Sequence, residues 1–258
     1  MSYSVFDKPE ISKRLFYPRQ EFSGEGQDGF QELLIPVEND VFLGGRFYRS
    51  AKEAATILFF HGNGEIVSDY HDLAAHYIER GINFLPVDYR GYGRSSSLPT
   101  FSTMMQDSHR VFHFILPWLV SQGCAGPVLV MGRSLGSAPA LEVALHNADH
   151  AAGLIIESGF AYIVPLLDLL GIDDPDLSEA AGPENIVKIR QITMPTLIIH
   201  AEHDRIIPLA EGEALFAASG SRNKKFQKIP GADHNDIFMQ GMKEYMDAVD
   251  NIVRSVVH

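Results

Sequence analysis

One cysteine, Cys124, in 258 residues leaves no internal disulfide to be made. The fold must then be held by its apolar core, and a chain of this length buries roughly three quarters of its unfolded surface. A reducing cytoplasm is the expected compartment. Long apolar runs are also missing. No stretch approaches the roughly 18 residues of a spanning helix, and the opening MSYSVFDKPEISKRLFYPRQ has no signal-peptide core, so no stable membrane insertion is expected. Basic residues are in deficit: 21 Lys and Arg against 33 Asp and Glu give a net charge of −12, which repels nucleic-acid phosphates and anionic lipid on average. The interrupted basic cluster Arg222, Lys224, Lys225, Lys228 reads as a solvated face.

Cofactor signatures are absent too. GYGRSS lacks the G-x-G-x-x-G spacing of a dinucleotide fold, and there is no P-loop and no HExxH. The pairs His109/His113 and His146/His150 have helical i, i+4 spacing that can bind zinc, but neither is read as accompanied by a third acidic or cysteine ligand. Neither a cofactor nor a metal is expected. No repeat or low-complexity stretch appears and no composition shift marks a boundary, which suggests one domain over 30–258 with an N-terminal extension, 1–29, packed on it.

What is present is an alternation. Residues 31–49 (QELLIPVENDVFLGGRFYR) read as an antiparallel ribbon, broken at Glu38-Asn39-Asp40 and at Gly44-Gly45. Short apolar strands are then expected at 56–60, 82–87, 128–131, 154–156, 196–200 and 226–229. Helices are expected up to Arg80 and at 103–122 with a bend at Pro117, 135–147, 209–219 and 236–257. Such alternation indicates an α/β class: a mostly parallel sheet behind an antiparallel ribbon, with helices on both faces. Ligands of these sheets sit at the carboxyl ends of the strands. The polar clusters His61 to Gly64, Asp88 to Gly93, Gly132 to Gly136, Glu157 to Gly159, His203-Asp204 and Asp233-His234 all fall there.

Gly132-Arg133-Ser134-Leu135-Gly136 fits G-x-S-x-G between an expected strand and an expected helix. A sharp turn of this kind strains the serine backbone and leaves no room for side chains at the glycines. A serine hydroxyl needs a base, and the base an orienting acid. His234 follows the last strand in IPGADHND, and Asp204 follows the strand TLIIH in HAEHDRIIP; Glu157 stands at the other strand end from which an acid could reach the histidine.

The motifs HGNG, DYRGYGRS, GRSLGS, HAEHDRIIP and GADHND, in the order Ser, Asp, His, resemble the serine hydrolases of the α/β-hydrolase superfamily. The resemblance is to the small-lid subgroup of α/β-hydrolase-domain depalmitoylases and related bacterial hydrolases. It covers the chain from about Leu34 onward. It implies an α/β-hydrolase fold with a small lid at most, and hydrolysis of a carboxylic ester or thioester of a small molecule or an acyl-protein. Ser134 would be the nucleophile, His234 the base and Asp204 its acid, with the backbone N–H groups of Leu135 and Asn63 holding the oxyanion. The same residues would serve an acyltransferase or a C–C hydrolase, and a receptor or protein-binding module could use the fold without catalysis. The Asn63 side chain is free to cap the next helix, and His61 reads as structural. Asp88 to Gly93 reads as a charge-pinned turn, and Arg133 as a partner of Asp88 or Glu157. Residues 158–194 could form a small cap, in which Phe160, Tyr162, Ile163, Leu166, Leu167 and Leu170 either pack the core or line an acyl groove.

Overall fold

Four apolar residues behind a threonine give Thr56–Phe60 no face to turn to water, and in the computed structural model this segment is β3, buried throughout near the middle of the sheet. The structure describes residues 3–21, 29–172, 174, 176, 177 and 184–257. The other strands are β1 (Gln31–Glu38), β2 (Val41–Phe47), β4 (Asn83–Val87), β5 (Val128–Arg133), β6 (Ala151–Glu157), β7 (Thr196–Ala201) and β8 (Lys224–Ile229). They form an eight-stranded sheet in the order β1-β2-β4-β3-β5-β6-β7-β8. β1 and β2 pair antiparallel, and every pairing from β4 to β8 is parallel.

In β1 the residues alternate, with Leu33, Ile35 and Val37 buried and Leu34 exposed, as befits a ribbon with one face in water. β2 does not break at Gly44-Gly45. The strand continues because both glycines stay paired with β1 and Gly45 also pairs with Val87 of β4, while a β-carbon on Gly44 would stand a tight 3.1 Å from Asp88 Oδ2.

Helices cover both faces. The helices are α1 (Pro9–Leu15), α2 (His71–Glu79), α3 (Phe101–Ser121), α4 (Ser137–His146), α5 (Ile163–Leu169), α6 (Asn185–Gln191), α7 (Leu209–Ala218) and α8 (Ile237–Val256). Leu73 and Tyr77 of α2 and Tyr245, Met246 and Val249 of α8 belong to one core; Val111, Phe112 and Ile115 of α3 and Leu141 and Val143 of α4 belong to the other. α3 starts two residues earlier than its hydrophobic period suggests, since Thr100 and Thr103 cap it reciprocally: the Thr103 N–H donates to Thr100 Oγ1 at 3.2 Å and the Thr100 N–H to Thr103 Oγ1 at 2.8 Å. It runs unbroken past Pro117, whose fixed φ suits a helix and whose missing donor forfeits one intrahelical bond. The irregularity in a long helix is instead at Gly241 of α8 (φ −148°, ψ 42°), where a β-carbon would overlap Ile229 of β8. Among the described residues no helix is long and apolar enough to cross a membrane.

The described part of the N-terminal extension is woven into the core beside α3. Phe6 and Ile11 are fully buried and Leu15 nearly so, and the Phe6 ring lies 5.3 Å from that of Phe101. Phe6→Ala is therefore expected to lower unfolding free energy by about 3–5 kcal/mol, as for a core aromatic. A urea midpoint equal to that of the wild type would show that the extension is not part of the cooperative unit.

Candidate active site

A tight turn lies at the carboxyl end of β5. Ser134 has φ +52° and opens a single 3-10 turn, Ser134–Gly136, that leads directly into α4. The left-handed backbone costs on the order of 1–3 kcal/mol in a residue with a side chain, so surrounding packing must hold it. The glycines make that packing possible: a methyl on Gly132 would overlap the Gly136 carbonyl, and one on Gly136 the Phe60 carbonyl at the end of β3.

Three side chains from separate strand ends meet at this turn. Ser134 Oγ lies 3.0 Å from His234 Nε2, and His234 Nδ1 lies 2.7 Å from Asp204 Oδ2. With Nδ1–H donating to the carboxylate, Nε2 is left as the acceptor of the serine proton. The other oxygen, Asp204 Oδ1, accepts from the backbone N–H of Ile206 at 3.0 Å and of Ile207 at 2.7 Å. Burial works against the Asp204 charge, but the hydrogen bond from His234, its proximity and the Ile207 N–H outweigh it and hold the carboxyl below its ordinary value. Behind Asp204, His200 lies 3.6 Å away and donates Nε2–H to the Ile207 carbonyl at 2.8 Å; burial keeps its pKa low.

Glu157, the other acid at a strand end, does not meet the histidine. It is fully buried and engaged elsewhere: Oε1 accepts from Arg133 Nη1 at 2.7 Å and Oε2 from the Tyr245 hydroxyl at 2.7 Å. Arg133 therefore pairs with Glu157 and not with Asp88, and it reaches further than its sequence position suggests. Its Nε donates to Glu65 Oε1 at 2.8 Å and its Nη2 to the carbonyl of His234 at 3.0 Å. Glu65 in turn accepts from the Gly62 N–H at 2.6 Å. One guanidinium thus joins the loop after β3, the turn after β5, the end of β6 and the histidine loop. Burial pushes the Glu157 carboxyl up despite Arg133 and Tyr245, whereas in Glu65 Arg133 and Tyr70 overcome burial and the carboxyl is lowered.

A second clamp is Asp233. Its Oδ1 accepts from the N–H of His234 at 2.8 Å and of Arg205 at 3.1 Å, binding the histidine loop to the acid loop. The roles of Glu65 and Asp233 are not marked in the sequence; the available signal is that Glu65 directly follows HGNG and that Asp233 stands inside GADHND, next to His234.

Asn63 lies in the loop after β3, and Leu135 follows Ser134 in the 3-10 turn, at the open N-terminal end of the helix. The Asn63 side chain does not cap the next helix. It accepts from the Tyr17 N–H at 3.0 Å and the Tyr92 hydroxyl at 2.7 Å, and donates to the Leu15 carbonyl at 2.8 Å. Beneath it His61 is fully buried, 3.3 Å from Asp88 Oδ1, while Asp88 also accepts from the Val67 N–H at 3.0 Å.

Beside the acid loop is an apolar cavity of about 140 Å³, walled by Phe160, Tyr162, Leu166, Leu169, Ile206 and Pro208 among others. The residues expected either in the core or in a groove divide between the two. Ile163 and Leu167 are buried in the core, Tyr162 and Leu166 face the cavity, and Leu169 faces it where Leu170 packs partly on the core. Much of the acidic segment 173–183 expected over this region lies outside the described residues.

A sequence model of the family described as serine aminopeptidase, S33 (Hydrolase_4) matches residues 51–171 and 183–239. The human alpha/beta hydrolase domain-containing protein 17B is 28% identical over 246 residues, 90% of this chain and 78% of that protein. Protein bem46 of Schizosaccharomyces pombe is 27% identical over 194 residues; the match takes in 72% of this chain and 64% of bem46, so under two thirds of that relative is spanned. Among solved structures, the Pyrococcus furiosus esterase Pf2001 superimposes with a TM-score of 0.74 at 15% identity, covering 95% of this chain and 98% of the esterase. That likeness is one of fold.

Removing the Arg133 guanidinium leaves the fully buried Glu157 carboxylate, and the half-buried Glu65 carboxylate, without their counter-charge. Arg133→Ala is expected to cost about 3–5 kcal/mol of stability, read from urea unfolding; a loss under about 1 kcal/mol would contradict the clamp. Asp204, whose carboxyl is lowered in the folded state, contributes stability present above its unfolded pKa of about 3.9 and lost as pH falls through the lower folded value. In Asp204→Asn the urea midpoint should therefore fall less steeply on acidification than in the wild type.

Proposed function

The chain belongs to the Hydrolase_4 family, described as serine aminopeptidase S33, within the α/β-hydrolase superfamily, and from that premise we propose that it cleaves a carboxylic ester or thioester through an acyl-enzyme on Ser134. The observation that carries the proposal is the unbroken hydrogen-bonded line from Ser134 Oγ through His234 to Asp204. As Ser134 attacks the acyl carbonyl, His234 Nε2 takes its proton, and Asp204 stabilises the imidazolium that forms. The N–H groups of Leu135 and Asn63 receive the oxyanion; loss of one such donor typically costs about 2.7–4 kcal/mol in the barrier. His234 then returns the proton to the departing alkoxide or thiolate. In the second half it activates water, which attacks the acyl-enzyme and restores the Ser134 hydroxyl.

The apolar cavity beside the acid loop supports an acyl substrate. Phe160, Leu166, Leu169 and Ile206 give its walls an apolar surface on which the hydrocarbon part of an acyl group can be buried. An amide would pass through the same acyl-enzyme, and the family's description is that of a peptidase; leaving-group chemistry decides between them.

A fluorophosphonate probe is expected to label the wild-type protein and not Ser134→Ala. p-Nitrophenyl esters and acyl thioesters of graded length should be hydrolysed by the wild type, and Ser134→Ala should lose at least about 10³-fold in kcat/KM. Aminoacyl p-nitroanilides turned over faster than esters would replace the ester reading with the peptidase one. Folded wild-type protein that neither labels nor turns over any of these substrates would favour a receptor or protein-binding module.

A further inference from the structure

The histidines of α3 and α4 do not assemble in the i, i+4 pairs that their spacing suggests. His113 Nε2 lies 3.0 Å from Asn147 Oδ1, and His150 falls beyond the end of α4. The packing of α3 against α4 instead brings His109 and His146 together across the helix interface, with ring centroids 5.3 Å apart, and places Glu142 between them. Glu142 Oε1 lies 3.5 Å from His109 Nε2 and 3.7 Å from His146 Nδ1. One donor atom from each of the three residues lies within 4.8 Å of the other two.

We propose that His109, Glu142 and His146 form a binding site for a zinc-class transition-metal ion, separate from the Ser134 centre. Two imidazoles and one carboxylate are a donor set that suits zinc and its late first-row neighbours, with water completing the coordination. The groups around these donors are arranged as metal sites arrange theirs. Glu142 divides its oxygens: Oε2 accepts from the Tyr3 hydroxyl at 2.9 Å and pairs with the Lys188 ammonium, while Oε1 is turned toward the two histidines. His146 Nδ1, 3.7 Å from Glu142 Oε1, also lies 2.9 Å from the Glu142 carbonyl; an ion taken at Nδ1 replaces that contact and leaves the ring proton on Nε2.

A tetrahedral ion with bonds of about 2.1 Å draws its donors to about 3.4 Å of one another. The His146 side chain is 53% exposed and can swing in to close the remaining distance, while Glu142, at 11%, is held in place. Access is open: a solvent-filled cleft of about 560 Å³, bordered by Tyr3, Asp7, Ser102 and Gln106, has His109 and Glu142 in its wall. Lys188 neutralises part of the carboxylate charge, so the imidazoles supply most of the affinity. The site should therefore discriminate against magnesium and calcium, which need several oxygen ligands. His146 lies nine residues along α4 from Ser137, about 14 Å from its start, so the ion would fasten α3 to α4 without touching the serine turn.

The test is calorimetric titration of the metal-stripped full chain with Zn²⁺ alone, alongside His109→Ala, His146→Ala, the double variant, and His76→Ala as a control on the exposed face of α2. The wild type and His76→Ala should take up one ion per chain, each single variant should bind about 100-fold more weakly, and excess Mg²⁺ should not compete. Co²⁺ should give visible ligand-field bands in the wild type that His146→Ala loses. Unchanged far-UV circular dichroism and thermal midpoint of the metal-free double variant certify its fold. No zinc uptake by the wild type, or uptake that survives in the double variant, overturns the proposal. Fluorophosphonate labelling of Ser134 reads the hydrolase assignment independently of either result.

Discussion

Arg133 stands almost fully buried with every one of its guanidinium nitrogens donating, and the geometry of the site depends on it. A planar fork with fixed donor directions can bridge groups that a lysine, with one mobile point charge, would leave loose. Here the groups are the Glu65 carboxylate, the Glu157 carboxylate and the carbonyl of His234 itself. The strained serine, the loop that precedes α2 and the histidine loop come from widely separated parts of the chain. They share one electrostatic hub, and its charge is balanced locally by acids whose affinities for protons are pushed in opposite directions. Burying ions is expensive, so the arrangement is poor evidence for extra stability. What it supplies is a single geometry.

The hub also accounts for the division of labour between two acids. Asp204 and Glu157 both stand at strand ends, and strand position alone does not separate them. The separation comes from neighbours: Glu157 is saturated by Arg133 and Tyr245, whereas Asp204 has one oxygen held by backbone amides and the other directed at His234. A side chain already committed on both oxygens is a structural anion; one with an oxygen left over can orient a base.

Much of this was legible in the sequence because an alternating strand and helix pattern places strand ends at one edge, and the residues with chemistry cluster there. The parallel sheet, its antiparallel ribbon, and the strand-end positions of Ser134 and His234 follow from local signals of that kind, whereas the choice of Asp204 over Glu157 rests on the resemblance of HAEHDRIIP to a family motif. What was not legible depends on distances between elements. Gly44-Gly45 looks like a break but lies inside a strand whose Gly44 faces Asp88. The partners of Arg133, the clamp at Asp233, and the meeting of His109 with Glu142 and His146 are set by how strands and helices stack. A hydrophobic period carries no record of which polar residues end up opposite one another.

The bonds made by the Asn63 side chain have a consequence for how the molecule is bounded. Its carbonyl and amide groups are spent on Leu15, Tyr17 and Tyr92, so the loop at the mouth of β3 is moored to a stretch that precedes the first strand of the sheet. The functional perimeter of this protein is therefore wider than the sheet and its crossovers. A segment outside the sheet thus acts as a keel for the loop that follows β3, whose shape is set as much by Leu15 and Tyr17 as by the strand it leaves.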